Sequence, residues 1–394
     1  MKYLIACVVL LLALAFGYQT VSGQETNKPK VEAAGAILID FETGRVLWEK
    51  NSETELAMAS TTKIMTAILC LEQGNLQDIV TVSRRAASAP KVKMFLSEGE
   101  KIPMETLLYA LMLQSSNDAA MAIAEHMAGS SEEFCRMMTE KAWSIGAMDT
   151  VFETPSGLDQ GNHHSTAHDL ALIARYALNN EQFLRIINTR EYTGKSDRRS
   201  YNIYNKNRLL SEFAGANGVK TGFTGKAGYC FVGSAKRDDL WLISVVLASG
   251  WGSRGREQRW TDTKRILEFG FDNYKIETVV TAGDRAGTLA IERSKTALVP
   301  LVYDVTLRFP LTEYEKESLR LERQMPSSMR APINAGDKIG ICGIYIDGEK
   351  LAEINIHAAG SASRHDLKTS AEKVLSALLG IVTTENVEIT LPEF

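Results

Sequence analysis

The chain is poor in cysteine, in long apolar runs and in net charge, and each shortage excludes a class of protein. Five cysteines among 394 residues are too few for a disulfide-stapled scaffold. Cys70, Cys135, Cys230 and Cys342 lie far apart, in apolar stretches such as Ile68-Leu69-Cys70-Leu71, without the paired spacing of a zinc site. Buried free thiols are expected there, with one disulfide pair left open. Lys and Arg number 44 against 48 Asp and Glu, a net charge of −4, so no nucleic-acid partner is expected. The apolar run Leu4 to Phe16 falls short of the roughly 20 residues that span a bilayer. Lys2 precedes it and Val21-Ser22-Gly23 follows, so residues 1–23 read as a secretory signal and the mature chain as exported. Leu4-Ile5-Ala6-Cys7 is similar to a lipoprotein box, but it begins the run instead of ending it, and lipidation is not expected.

What is there is ordinary globular material, 45% hydrophobic and 23% charged, long enough for two domains because single cores seldom exceed ~250–300 residues. Ala34 to Asp40 and Arg45 to Glu49 read as a hairpin about Glu42-Thr43-Gly44. From Ser60 the apolar period becomes helical through Ile64, Ile68 and Leu71. Further helices are expected from Pro103 through Met112, from Asp118, from Ser131, and from Thr166, where Thr166-Ala-His-Asp169 offers a capping box. Strands return at Gly218 to Phe223, Tyr229 to Ala235 and Trp241 to Ala248, and a last helix is expected over Glu257 to Phe269. Strands at both ends with helices between imply an α+β domain over 33–275, its first and last strands sharing one antiparallel sheet flanked by helices. A small β-rich domain is expected over 276–362 and a tail with the spacing of an amphipathic helix over 363–394.

Three short elements carry chemistry. They are Ser60-Thr-Thr-Lys63 at a helix start, Ser115-Ser-Asn117 between two helices, and Lys220-Thr-Gly222 in a strand. Ser-x-x-Lys recurs at Ser88 and at Ser370, but Pro90 disfavours a helix in the first and the second lies in the tail. On a helix the Lys63 amine reaches the Ser60 hydroxyl from position i+3. A serine is a weak nucleophile until a neighbour takes its proton, and a lysine whose pKa is lowered by burial and nearby cations can be that base. Lys220 would be such a cation, and the Ser60 backbone N–H, near a helix N-terminus, a natural oxyanion donor.

The three elements in this order are those of penicillin-binding proteins and serine β-lactamases. The wider stretches Ala57 to Thr66, Leu113 to Ala119 and Gly218 to Tyr229 closely resemble the low-molecular-mass penicillin-binding proteins that are D-alanyl-D-alanine carboxypeptidases. The resemblance covers roughly Ala34 to Tyr274 and, more loosely, the β domain. It implies an exported serine hydrolase that trims the terminal D-alanine from peptidoglycan stem peptides, is acylated by β-lactams and needs no metal or cofactor. It also implies roles. Ser60 is the acylated nucleophile, Lys63 its base, Ser115 a proton relay to the leaving amine, and Asn117 a holder of the substrate amide. Lys220 supplies positive potential, Thr221 and Arg256 bind the terminal carboxylate, Gly222 lies in the substrate site, and the Phe223 backbone completes the oxyanion hole. Relatives often carry His at the position of Phe223. They also often end in a membrane-surface helix, and Leu367, Ala371, Val374, Leu375, Leu378 and Val382 form such an apolar stripe, although Asp366 and Glu372 offset Lys368 and Lys373.

Other patterns carry less. Gly250-Trp-Gly-Ser-Arg-Gly255 has the dinucleotide spacing, but tight turns make the preceding strands antiparallel where that fold needs parallel units. His163, His164 and His168 suggest a metal, but a helix cap at Ser165 or Thr166 leaves His164 off the shared face. Two alternatives stay open at this point. A serine β-lactamase of class A needs Glu-x-x-x-Asn, and Glu153-Thr-Pro-Ser-Gly157 has Gly in the last place. A non-catalytic cell-wall-binding or sensor protein would leave the full set of reactive groups without a purpose.

Overall fold

The computed structural model describes residues 28–364, 371 and 374–376; the expected secretory signal and most of the expected tail stripe lie outside them. The chain divides into two compact units between Lys275 and Ile276. Among the described residues no helix is long and apolar enough to cross a membrane.

The strands of the first unit are β1 (Gly35–Asp40), β2 (Val46–Lys50), β3 (Ile79–Thr81), β4 (Lys101–Pro103), β5 (Glu191–Lys195), β6 (Ser200–Tyr204), β7 (Ala216–Thr224), β8 (Gly228–Arg237) and β9 (Leu240–Leu247). Five of them form one antiparallel sheet in the order β2-β1-β9-β8-β7, so that the first and last strands pair directly, Ile37 opposite Val245. All six residues of β1 are buried, because both faces are covered. Leu38 turns toward Gly270 of the helix Gly252–Asn273, while Ile37 and Ile39 join the main core with the helix Ala167–Leu178. Residues that alternate along a strand face opposite sides, which is how one strand serves both helices. The strands β3–β4 and β5–β6 form separate two-stranded ribbons.

Several helices differ from their expected extent, for local reasons. The helix Met104–Tyr109 gives way to a π-turn over Ala110–Gln114, which ends at Ser115 in the left-handed region with φ 66°. The last helix starts at Gly252, well before Glu257, because Gly250 and Gly252 take φ of 105° and 62° and turn the chain straight into it. A Cβ on Gly255 would lie 2.3 Å from the carbonyl carbon of Gly250; these glycines serve backbone approach, and Arg256 sits on the helix. The capping box at Thr166 is half made. Its hydroxyl accepts from the Asp169 N–H, but the Asp169 carboxylate instead accepts from Asp149 N and Thr150 Oγ1.

The second unit contains β10 (Lys275–Val280), β11 (Arg285–Glu292), β12 (Leu298–Tyr303), β13 (Leu307–Leu311), β14 (Arg320–Gln324), β15 (Ser328–Arg330), β16 (Lys338–Ile346) and β17 (Glu349–Ala358). A six-stranded sheet runs β14-β16-β17-β12-β11-β15, and β10 pairs with β13. Leu289, Leu301, Cys342, Ile344 and Ile356 are fully buried and form its core.

The first unit closes tightly at one point. A 3₁₀ turn over Ala59–Thr62 leads into the helix Lys63–Gln73, which is buried from Lys63 through Cys70. Two glycines let other segments reach this turn. A Cβ on Gly222 of β7 would lie 3.1 Å from Ser60 N, and one on Gly157 would lie 1.8 Å from the Ala59 carbonyl oxygen. Gly157 also has φ 84°, a conformation that side chains resist. Gly157→Ala should therefore lower the unfolding free energy by about 2–4 kcal/mol in urea titration. Gly225→Ala, where nothing lies within 4 Å of the added Cβ, should change it by no more than about 0.5 kcal/mol.

Candidate active site

In a 3₁₀ turn side chains three apart eclipse, and this places Lys63 directly over Ser60. Lys63 Nζ lies 2.8 Å from Ser60 Oγ, 2.8 Å from Asn117 Oδ1 and 2.5 Å from the Ser156 carbonyl oxygen. The last two groups can only accept. They take both hydrogens of a neutral amine and leave its lone pair facing the Ser60 hydroxyl; an ammonium sends its third hydrogen to Ser60 Oγ. Lys63 is fully buried, and its pKa lies well below the ordinary lysine value. Burial is the main cause and the Lys220 charge the next, opposed by the Asp118 carboxylate. Ser60, at the opening of the 3₁₀ turn, is only partly buried, so the hydroxyl meets solvent while its base does not.

Asn117 opens the helix Asn117–Ala128 and holds more than Lys63. Its Nδ2 donates to Pro90 O and its backbone N–H to Val92 O, while the Asp118 carboxylate accepts from Met94 N and Leu96 N. One face of the site is thus a loop over residues 90–96 pinned by two consecutive side chains, and one Nδ2 hydrogen of Asn117 remains for a ligand. Ser115 sits beside it, partly exposed and left-handed; no hydrogen bond among the described residues joins it to Ser60 or Lys63.

On the other side β7 is the edge strand. Tyr229 opposes Phe223 across β7 and β8, yet its own N–H and C=O pair with Gly250 and Ser249. Phe223 and Tyr229 therefore form a non-hydrogen-bonded pair, and the Phe223 N–H points away from β8 at the open edge. Next to it Gly222 abuts Ser60 N, which brings β7 against the backbone of the Ser60 turn. Lys220 shares the Gly222 face of the strand, only 2% exposed, with Nζ donating to the Thr221 carbonyl at 3.1 Å. Burial first, then the Arg259 and Lys206 charges, bring its pKa down to about 7. Thr221 and Phe223 share the opposite face. Phe223 is 47% exposed and packs on Tyr229 with ring centroids 4.3 Å apart and planes tilted by 32°, and the exposed Arg256 donates from Nε to the Tyr229 hydroxyl at 3.4 Å.

Several contributors were not apparent in the sequence. Ser156 acts through a carbonyl, which every residue type has, so Pro155-Ser156-Gly157 could signal no more than a turn. His163 is a structural tie: its Nδ1 accepts from Glu153 N at 3.0 Å, so its Nε2 hydrogen goes to Thr62 Oγ1 at 2.8 Å. Burial, then the charges of His164, Lys226 and Lys63, hold its pKa down to about 4. Among the described residues no group of His, Cys, Asp and Glu could hold a metal ion. The four cysteines of the described chain are buried and unpaired, and burial raises the Cys230 thiol to about 12, which leaves it unreactive beside the site.

Comparison with known proteins follows this geometry. Residues 22–250 match the D-alanyl-D-alanine carboxypeptidase family, and residues 274–364 match the C-terminal domain of penicillin-binding protein 5. The chain is 32% identical over 368 residues to the D-alanyl-D-alanine carboxypeptidase DacF of Bacillus subtilis, covering 92% of each chain. It is 30% identical to DacC of Escherichia coli, over 84% of each. Among solved structures, penicillin-binding protein 5 of Haemophilus influenzae superposes with a TM-score of 0.72 at 26% identity, over 85% of this chain and 99% of that one.

On the expectation that Lys63 is the base and Lys220 the cation, activity needs Lys63 without its extra proton and Lys220 with one. Lys220 loses its proton as pH rises through about 7, so the second-order rate of acylation by a β-lactam should fall on the alkaline side with an apparent pKa near that value. Lys220→Arg, which holds its proton throughout, should remove that limb. Lys63→Arg cannot accept a proton and should slow acylation by roughly 10²–10⁴-fold, as read by stopped-flow fluorescence.

Proposed function

The chain belongs to the D-alanyl-D-alanine carboxypeptidase family, and on that premise we propose a residue-level mechanism for it. It is a serine-type D-alanyl-D-alanine carboxypeptidase of the penicillin-binding superfamily that acts on peptidoglycan peptides in the extracytoplasmic envelope and binds β-lactams. The observation that carries the mechanism is the Lys63 amine, held by two acceptor-only groups with Ser60 Oγ as its third neighbour.

Ser60 Oγ attacks the carbonyl carbon of the penultimate D-alanine as its proton passes to Lys63. The carbonyl oxygen takes on negative charge and is received by the Ser60 and Phe223 N–H groups, which cost no reorganisation because the backbone already holds them. Ser115 relays the proton to the departing nitrogen, the C–N bond breaks, and free D-alanine leaves an ester on Ser60. Water then attacks that ester as Lys63 takes its proton, the C–O bond to Ser60 breaks, Lys63 returns the proton to Ser60 Oγ, and the shortened peptide leaves as its carboxylic acid. Asn117 offers its remaining Nδ2 hydrogen to the substrate amide, and Thr221 and Arg256 meet the terminal carboxylate. The open edge of β7 beside Phe223 suits an extended peptide laid along it. Exposed Phe223 serves through its backbone, and its ring closes the carboxylate side against Tyr229.

Neither alternative fits as well. The segment that a class A β-lactamase would use to drive deacylation here provides the Ser156 carbonyl and the closely packed Gly157. A non-catalytic sensor would have no use for a nucleophile and a base in hydrogen-bond contact. In a direct assay the enzyme should release one D-alanine from a model pentapeptide, and Ser60→Ala should abolish both that release and labelling by a fluorescent penicillin. Penicillin turnover faster than D-alanine release would count against the carboxypeptidase assignment.

The tail is proposed to hold the enzyme at the outer face of the cytoplasmic membrane. Ala371 and 374–376 are helical, with Val374 and Leu375 60% and 57% exposed, so this part of the stripe is open to an apolar surface. Arg364 still pairs with Ala331 O, which makes the residue after it a suitable place to cut. Truncation there should move the protein from membrane to soluble fraction with activity retained; a truncated protein that stays equally membrane-bound argues against the anchor.

A further inference from the structure

The residue before the nucleophile takes a conformation that its side chain disfavours, and a chain of hydrogen bonds holds it there. Ala59 has φ 49°, and a left-handed backbone is uncommon for any residue but glycine. Its carbonyl oxygen accepts the Thr62 hydroxyl at 2.8 Å. A hydroxyl has one hydrogen, so Thr62 Oγ1 can only accept from its other neighbour, His163 Nε2, also at 2.8 Å. The imidazole donates there because its Nδ1 already accepts from Glu153 N at 3.0 Å. Every donor in the chain is thereby assigned, from the Glu153 N–H through His163 and Thr62 to the Ala59 carbonyl. Ala59, Thr62 and His163 are all buried, and the imidazole packs edge-on to Phe152 with ring centroids 5.9 Å apart.

The Ala59 carbonyl and the Ser60 N–H belong to one peptide unit. That unit is planar and trans, so the two groups point in opposite directions and a bond that fixes one fixes the other. We propose that His163 is a positioning residue for catalysis: through Thr62 it anchors the Ala59 carbonyl and so aims the Ser60 N–H at the carbonyl oxygen of the substrate. The inference rests on the reading of that N–H as an oxyanion donor. The surrounding segment supports it. A Cβ on Gly157 would stand 1.8 Å from the Ala59 oxygen and 2.8 Å from Thr62 Oγ1, so the 154–157 turn closes directly over the Thr62–Ala59 bond. The same turn gives the Ser156 carbonyl to Lys63, and Thr66 Oγ1 donates to Pro155 O at 2.6 Å. Glu153 leads into that turn. One histidine therefore registers the segment that holds the base and the peptide unit that receives the oxyanion.

The imidazole can be replaced one nitrogen at a time, since a glutamine amide nitrogen reaches the Nε2 position and an asparagine amide oxygen the Nδ1 position. His163→Gln, His163→Asn, Thr62→Val and Thr62→Ser are compared in D-alanine release from a model pentapeptide, in acylation by a fluorescent penicillin, and in inhibition by a peptide boronic acid, which forms a tetrahedral adduct on a serine. Thr62→Val and His163→Asn should lower kcat and the acylation rate by about 10–100-fold. KM should stay within about twofold, because acylation and deacylation pass through the same oxyanion and slow together. The boronic acid should lose affinity by the same factor as kcat/KM. Thr62→Ser and His163→Gln should recover most of the loss. A loss carried by KM, a boronic acid affinity that holds while kcat falls, or a serine or glutamine variant as poor as its counterpart would overturn the proposal, as would a Thr62→Val enzyme as fast as the parent. A parent enzyme that is acylated by penicillin but releases no D-alanine would sink the carboxypeptidase reading alone; the penicillin rates would still judge His163, because the β-lactam carbonyl meets the same N–H. Should Thr62→Val not fold, His163→Asn carries the same comparison.

Discussion

The first unit depends on one buried amine. A lysine nitrogen taken out of water is tolerated only where its hydrogens are all accounted for, and here Asn117 Oδ1 and the Ser156 carbonyl do that from two different segments. Those two groups belong to the pinned loop-and-helix face and to the 154–157 turn, so satisfying Lys63 fixes both against the helix that carries Ser60. Removing either acceptor would leave a buried amine hydrogen without a partner and would loosen the segment that supplied it. Catalytic competence and local rigidity therefore share one set of hydrogen bonds.

Close approach of backbones makes that arrangement possible. The Ala59–Thr62 turn is met by Gly157 on one side and Gly222 on the other, each at a distance that excludes a Cβ. Because these are main-chain contacts, they place main-chain groups, the Ser156 carbonyl and the Ser60 and Phe223 N–H groups, more firmly than side chains could be placed. Side-chain ties reinforce the frame from outside. Neutral His163 holds Thr62, and the Thr224 hydroxyl donates to Asp159 at 2.9 Å, linking β7 to the loop that follows Gly157.

Electrostatics divide the site into two parts. Around Lys63 burial works with the Lys220 charge to lower proton affinity, and Asp118 works against them. Around Lys220 and Arg259 positive charge accumulates without a buried counterion, a condition that a folded protein maintains at a cost in stability. The two parts meet at β7, whose alternating side chains send Lys220 and Gly222 toward Ser60 and send Thr221 and Phe223 toward the arginines. A single strand thus connects proton transfer with recognition of an anion.

The sequence by itself determined the class of chemistry, because Ser60, Lys63, Ser115, Asn117 and Lys220 stand in local patterns whose spacing encodes reach along a turn, a junction or a strand. The pairing of β1 with β9 was legible from chain order, since strands at both ends of the domain with helices between them imply one shared antiparallel sheet. Helix ends were less legible. At Gln114 and at Gly252 they were set by a π-turn and by left-handed glycines, which answer to packing and not to apolar period. Tertiary structure alone decided the Ser156 carbonyl, the His163 tie and the seat of half-buried Arg259 over the Tyr229 and Trp260 rings. A carbonyl has no residue signature, the protonation of a histidine follows its burial, and an arginine on an exposed-looking helix reads as solvated until the fold closes two aromatic rings upon it.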